Sequence, residues 1–229
     1  MRWLSLTLTL ALACSPLLAA DAKTKTAERL DDSASLFSEI MGTPDRSIPQ
    51  DLLEKAHCIV LVPDLKKAAF GVGGKYGRGF ALCRATGGTG WGPPAAIRIE
   101  GGSVGFQIGV SSSDVVMLVM NERGMEKLSS SKFTIGADAN AAAGPVGRNA
   151  SAQTDAYMHA EILSWSRSKG LFAGVSLDGA TLRNDLDENQ ALYGERWTSK
   201  QILGSGAKMP EAASKLISVL NKYSMRASK

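Results

Sequence analysis

Apolar residues recur at spacings of three and four near the start of the chain. Ala27, Leu30, Ala34, Phe37 and Met41 share one face, and Leu36 and Ile40 widen it. That period predicts an amphipathic helix over 24–41, stopped by Gly42-Thr-Pro44. Lys25, Glu28, Arg29, Asp31, Asp32 and Glu39 lie mostly off the stripe. A membrane-surface helix wants a basic polar face, and this one carries more acids than bases, so packing against a core is expected. A second short helix is expected over 48–56, with Pro49 in its first turn.

From Cys58 the period changes. Cys58-Ile-Val-Leu-Val62 is a continuous apolar run, expected to be a buried strand ended by Pro63-Asp64. Short strands are then expected at 71–74, 76–83, 95–100 and 104–110. In the last, Val104, Phe106, Ile108 and Val110 alternate with Gly105, Gln107 and Gly109. Residues 115–120 read as another buried strand, Asn121 to Gly124 as a turn and 125–129 as a short helix. Strands are expected to begin at 133 and to span 160–166 and 171–177, with helices at 185–193 and 210–223. No internal repeat interrupts this order.

Thirteen of the 24 glycines fall between Gly71 and Gly109. Without a Gly-X-Y period, that density among β-branched runs points to bulges and close backbone approach. The expected fold class is therefore α+β: a curved, glycine-rich antiparallel sheet or barrel-like core with packing helices at the N-terminus and C-terminus. The tract Gly136-Ala-Asp-Ala-Asn-Ala-Ala-Ala-Gly-Pro-Val-Gly-Arg148 is expected to pack inside, with Asp138 held by hydrogen bonds.

At 229 residues, with 44% hydrophobic and 21% charged positions, the chain can bury a sizeable core. A net charge of +4 is too mild to argue for nucleic acid, and it permits an anionic membrane partner. Residues 1–22 read as a signal peptide: Arg2, an apolar run from Trp3 to Ala13, and small residues at Ala20 and Ala22. Ala11-Leu-Ala-Cys14 offers a second reading, a lipoprotein box with Cys14 lipidated. Residues 23–229 are expected to form a single domain, exported and periplasmic or envelope-associated. Cys58 and Cys83 are expected to be buried in the sheet as free thiols, although an oxidising compartment permits a bond.

Catalytic and cofactor motifs fail on inspection. Gly71 to Gly79 is not a phosphate loop, because Lys75 precedes Tyr76 and the position six before it is Ala69. Asp185-Leu-Asp187-Glu-Asn189 begins like a calcium loop, but Gln190 and Arg196 occupy the glycine and glutamate positions. Ser103 sits in Gly-x-Ser-x-Gly, yet the alternation after it predicts a strand rather than the required helix. His57 and His159 have no partnering motif. Asn149-Ala-Ser151 is a glycosylation sequon only in a eukaryotic host. No cofactor or metal is expected, and the chain reads as a non-enzyme. The alternative is an enzyme with a polar site around Asp138, Arg148 and Tyr157. Lys66, Lys67, Lys75 and Arg78, with Arg84 nearby, form the candidate patch for lipid phosphates.

Several blocks together resemble the SYLF lipid-binding domain family: Ala56-His-Cys-Ile-Val-Leu-Val-Pro63, Phe70-Gly-Val-Gly-Gly74, Gly102-Ser-Val-Gly-Phe-Gln-Ile-Gly109, the small-residue tract at 136–148, and Ser166-Arg-Ser-Lys-Gly-Leu-Phe-Ala-Gly-Val-Ser-Leu177 with Tyr193-Gly194 beyond. The resemblance covers most of residues 30–195. It implies binding of membrane lipids, phosphoinositides in eukaryotic members and actin in fungal ones. For an exported bacterial member it implies an anionic phospholipid membrane surface at the cell envelope; actin is not the expected partner.

Overall fold

The computed structural model describes residues 15–43, 47–85, 87, 89–146, 159–168, 170–204 and 207–224; side chains are described from Ala20 onward, and Gly71 and residues 103–108 by backbone alone. The first helix, α1 (Ser15–Met41), is followed by α2 (Gln50–Lys55) and two strands of unusual length, β1 (Cys58–Cys83) and β2 (Ala95–Val119). Next come α3 (Glu122–Ser129), β3 (Lys132–Thr134), β4 (Ala141–Ala143), β5 (Ile162–Ser168), β6 (Leu171–Gly174) and β7 (Thr181–Asn184). Three helices close the order: α4 (Leu186–Tyr193), α5 (Ser199–Gly204) and α6 (Ser214–Ser224), the last entered through a 3₁₀ turn at Glu211–Ala213. The class is α+β, with a curled sheet forming a half-barrel.

Fragments read as separate strands are one ribbon. Pro63-Asp64 does not end the strand; it makes a bulge between Val62 and Leu65, and a second irregularity lies between Phe70 and Val72. Asp64 takes a left-handed φ of 57° there, and its N–H donates to Asp114 Oδ1 at 3.0 Å. Bulges bend and twist a ladder without ending it. β1 therefore pairs with β2 from Cys58↔Val119 to Ala81↔Ala95. The pairing is antiparallel throughout, whereas β4 runs parallel to β5, so the sheet is mixed.

The ribbon curls until the two ends of β1 meet. Gly79 lies where the strand passes over its own beginning: a Cβ there would stand 2.0 Å from the Leu61 carbonyl oxygen and 2.8 Å from Val62 Cα. Only glycine fits so close a backbone crossing. At the same closure Cys58 and Cys83 are joined by a disulfide, with Cα atoms 3.9 Å apart. This corrects the expectation of free thiols. Reading the segment as separate short strands concealed that positions 25 residues apart are neighbours. The Arg84 N–H adds a bond to the His57 carbonyl at 2.9 Å.

Two apolar cores flank the sheet. One holds Leu30, Phe37 and Ile40 of α1 against Ile59, Leu61, Phe80 and Leu82 of β1, with Leu216 and Leu220 of α6. As the helical period implied, α1 is a packing helix. The second holds Val60, Val62, Leu65, Ile97, Ile99 and Met117 with Leu128, Phe133 and Leu182. The Ala/Gly tract divides: Gly136, Ala137 and Asp138 are exposed, while Ala139, Gly144 and Pro145 are buried. Gly144 lies against the buried Trp165 ring, whose Nε1–H donates to the Pro145 carbonyl at 2.9 Å. The expectation that the whole tract packs inside is corrected for 136–138, where a turn at the end of β3 carries it outward, and for Asn140 and Val146, which are exposed as well.

Candidate functional site: the open arch of the long ribbon

Both ends of the β1–β2 ribbon are anchored. β5 pairs with β2 at 114–119 and β7 pairs with it at 97–100. Among the described residues, β2 pairs with β1 alone over 101–113. The middle of the ribbon is thus a two-stranded arch. Its register gives it two faces. Lys66, Ala68 and Phe70 share one, opposite Ser112, Val110 and Ile108, and Lys67 falls on the other; Val72, Gly73 and Lys75 lie beyond the irregularity.

Three of the four candidate lipid-binding residues belong to this arch. Lys66 is exposed, with Nζ 3.5 Å from Asp64 Oδ2 at the arch's foot. Lys67 is exposed as well. The Lys75 stem lies across Gly101, where a Cβ would come within 2.5 Å of its Cε. Burial pushes the Lys75 ammonium below its usual range, and the Lys67 charge adds to that, against a smaller opposing pull from Asp178. Lys67 and Lys75 therefore place like charge near one another, an arrangement that an external anion would relieve.

Arg78, the fourth candidate, is held in a network of ion pairs. Its Nε stands 2.7 Å from Asp185 Oδ2, and its Nη2 donates to Asp185 Oδ1 at 3.2 Å. Asp185 is fully buried and caps α4 by accepting the Glu188 N–H. Glu188, also buried, pairs with Arg29 of α1. Burial opposes the Arg78 charge, and Asp185, Tyr76 and Glu188 more than offset it, raising its pKa. Burial likewise raises Glu188, with Arg29 acting against the shift. These four groups tie α1, β1 and α4 together. Arg84 is also structural: it donates to the carbonyls of Ala56, Leu53 and Ser224 and lies 4.1 Å over the Trp91 ring.

The arch has an electrostatic feature that residue-by-residue reading missed. Between Leu65 and Ser113 the chain holds a single acid, Glu100, although it has 22 acids in all. Glu100 is held by Arg98 at 2.9 Å and Arg183 at 3.2 Å. Counting acids as well as bases along 65–113 would have revealed it.

Of the alternative site, Asp138 is the residue that falls among the described ones. Asp138 is exposed and its carboxylate accepts the Thr134 N–H at 2.7 Å; Arg148 and Tyr157 lie outside the described residues. Ser103 sits within continuous strand, opposite Gly73, not at a strand-to-helix elbow. Among the described residues there is no cluster of three or more His, Cys, Asp or Glu side chains suited to a metal, and no helix long and apolar enough to cross a membrane.

A curled sheet closed by its own long ribbon, with helices from both termini on one side and an acid-poor arch left open, is an α+β half-barrel. A family profile described as "Ysc84: Las17-binding protein actin regulator" matches residues 100–223, more than half of the chain. The chain is 33% identical over 201 residues to Protein YSC84 of Saccharomyces cerevisiae, covering 86% of this chain and 42% of that protein. It is 37% identical over 177 residues to SH3 domain-containing protein PJ696.02 of Schizosaccharomyces pombe, covering 76% and 41%. It is 32% identical over 190 residues to SH3 domain-containing YSC84-like protein 1 of Rattus norvegicus, covering 82% and 55%. The chain belongs to the Ysc84/SYLF family, and it spans about half the length of the curated relatives it matches.

Proposed function

We propose that this chain is a non-catalytic module that associates with anionic phospholipid at a membrane surface. The observation that carries this reading is the arch: Lys66, Lys67 and Lys75 stand on a ribbon whose segment 65–113 holds one acid, itself neutralised. Each basic residue near an anionic surface contributes about 1 kcal/mol, and the attraction falls off within a Debye length. Arg78 is assigned to the scaffold because its charge serves Asp185. The resemblance of the quoted sequence blocks to a lipid-binding family supports the same reading. One relative is named for binding Las17 and others for containing an SH3 domain; both belong to the relatives.

We place the protein in an exported, envelope-associated setting, with residues 1–22 as leader or Cys14 as a lipid anchor. The leader pattern supports this, and so does the disulfide, since such bonds persist in oxidising compartments. In that setting neither actin nor nucleic acid is a partner. The test is co-sedimentation of the mature protein with vesicles of phosphatidylcholine, with and without phosphatidylglycerol, across a salt series. Binding is expected only with the anionic lipid and should weaken with salt. Charge reversal of Lys66 and Lys67 to Glu should abolish most of it. Equal binding to both vesicle types, or indifference to salt, overturns the electrostatic reading.

A further inference from the structure

We propose that the crest of the β1–β2 arch is a membrane-inserting wedge: Phe70, Val72 and Val110 enter the interface of an anionic bilayer, while Lys66, Lys67 and Lys75 hold phosphates around them. This rests on the membrane reading above and goes beyond it by naming apolar groups, their depth and the side of the protein that meets the lipid.

Exposure is the first observation. Phe70 is 81% exposed, Val72 75% and Val110 83%, the three most exposed large hydrophobic side chains among the described residues. Scattered exposed apolar residues are ordinary. These are not scattered: Val110 opposes Ala68, two positions from Phe70 on the same face, and Val72 follows Phe70 across the irregularity in the ladder. An exposed apolar cluster rimmed by polar groups marks an interaction surface.

Charge is the second observation, and it selects the partner. Lys66 shares the face of Phe70 four residues away, a distance of about 13 Å along a strand. Its flexible stem lets the ammonium reach headgroup level while the ring sits deeper. Lys67 supplies charge from the opposite face, and Lys75 from beyond the irregularity. Within 65–113 the ribbon carries one acid, Glu100, which is paired with Arg98 and Arg183; Asp64 pairs with Lys66 at the foot of the arch, and Asp178 exerts a smaller pull on Lys75. An apolar tip flanked by three lysines on an acid-poor ribbon is complementary to an anionic bilayer, whose phosphates lie above its acyl chains.

Backbone satisfaction limits the depth. Between 101 and 113 the arch is a two-stranded ribbon, so the outward N–H and C=O groups of both strands need water or headgroup partners. Insertion is therefore shallow, taking the side chains past the headgroups and leaving the ribbon among them.

The experiment compares three versions of the full chain on phosphatidylcholine vesicles with and without phosphatidylglycerol: the parent, a triple variant with Phe70→Ser, Val72→Ser and Val110→Ser, and a double variant with Lys66→Glu and Lys67→Glu. All three positions of the triple variant are exposed, so its far-UV circular dichroism and unfolding midpoint should match the parent. The triple variant should lose at least about tenfold in affinity for anionic vesicles. A Phe70→Trp variant should show a blue-shifted emission on anionic vesicles and quenching by acyl chains brominated near the headgroup. If the triple variant binds like the parent while the double variant fails, the wedge is wrong and the electrostatic reading stands. If the parent binds no anionic vesicle, both fall. If the parent instead self-associates through the crest, seen as a dimer that the triple variant abolishes without change in vesicle binding, the crest is a protein interface and the wedge is again overturned.

Discussion

Breaking the Cys58–Cys83 bond tests the closure of the half-barrel directly. The bond spans 25 residues, all of them in β1. Cross-linking a loop of that size removes loop-closure entropy from the unfolded chain and stabilises the fold by roughly 3.5 kcal/mol at 25 °C. For a chain of this length that corresponds to a fall in Tm of about 7–14 °C on reduction. The reduced protein should nevertheless stay folded at room temperature. Its ends remain joined by the Arg84 N–H to the His57 carbonyl, by the Arg84 guanidinium on the Ala56 and Leu53 carbonyls, and by the two cores. The assay is thermal and urea unfolding with and without a phosphine reductant, with thiols counted after unfolding to prove reduction. Non-reducing peptide mapping of the starting material should yield Cys58 and Cys83 in one linked species. Free thiols in the untreated protein would show that the closure does not rest on this bond. A Tm unchanged after full reduction would show that the unfolded chain gains nothing from the release.

Three further outcomes follow from the same geometry. Gly79→Ala drives a methyl group into the Leu61 carbonyl and should cost about 3 kcal/mol, read as a lowered urea midpoint; a neutral result means that β1 does not cross itself there. Arg78→Leu leaves Asp185 without its counter-charge and should cost about 2–3 kcal/mol, given that the arginine is partly solvated, while the folded fraction binds vesicles with nearly parental affinity. Glu188 has its pKa raised by burial above the ordinary 4.5, so the native state holds its proton longer than the unfolded chain does. Its contribution to stability accordingly falls as pH rises through the window just above 4.5, and Glu188→Gln should flatten that fall in a pH series of urea midpoints.

The parts of the fold legible in the sequence are those set by local period. The stripe from Leu30 to Ile40 and that from Ala213 to Leu220 produce helices that bury those residues, and the runs at 115–119 and 162–168 are strands at the centre of the sheet. What was not legible depends on contacts distant in sequence. Pro63-Asp64 has every mark of a strand end, but Asp114, fifty residues on, receives the Asp64 N–H and holds the turn as a bulge. β4 and β7 are three and four residues long, too short for a period to declare itself, and they exist because β5 and β2 offer them edges. Asp138 was expected to be tied by hydrogen bonds, and it is, to Thr134; its exposure was not foreseeable from small neighbours alone.

The candidate site divides along the same line. Lys66, Lys67, Lys75 and Arg78 are four cations within thirteen residues, and local sequence offers no reason to treat one differently. The distinction comes from Asp185, 107 residues away, which lies buried at the N-terminus of α4 and requires a counter-charge from β1. Arg78 is the position where the curled ribbon comes back to the core, so it meets that carboxylate; the lysines lie on the stretch that has not yet returned. The curvature that closes β1 on itself thus has two consequences at once. It brings Gly79 and Cys83 onto the strand's own beginning, and it leaves Phe70, Val72 and Val110 exposed on the part of the ribbon that, among the described residues, pairs with no third strand. Folding alone gains nothing from three large apolar side chains in water. A shorter ribbon turning at the same bulges would close the core without them. The membrane insertion proposed above gives those three side chains a role that folding does not.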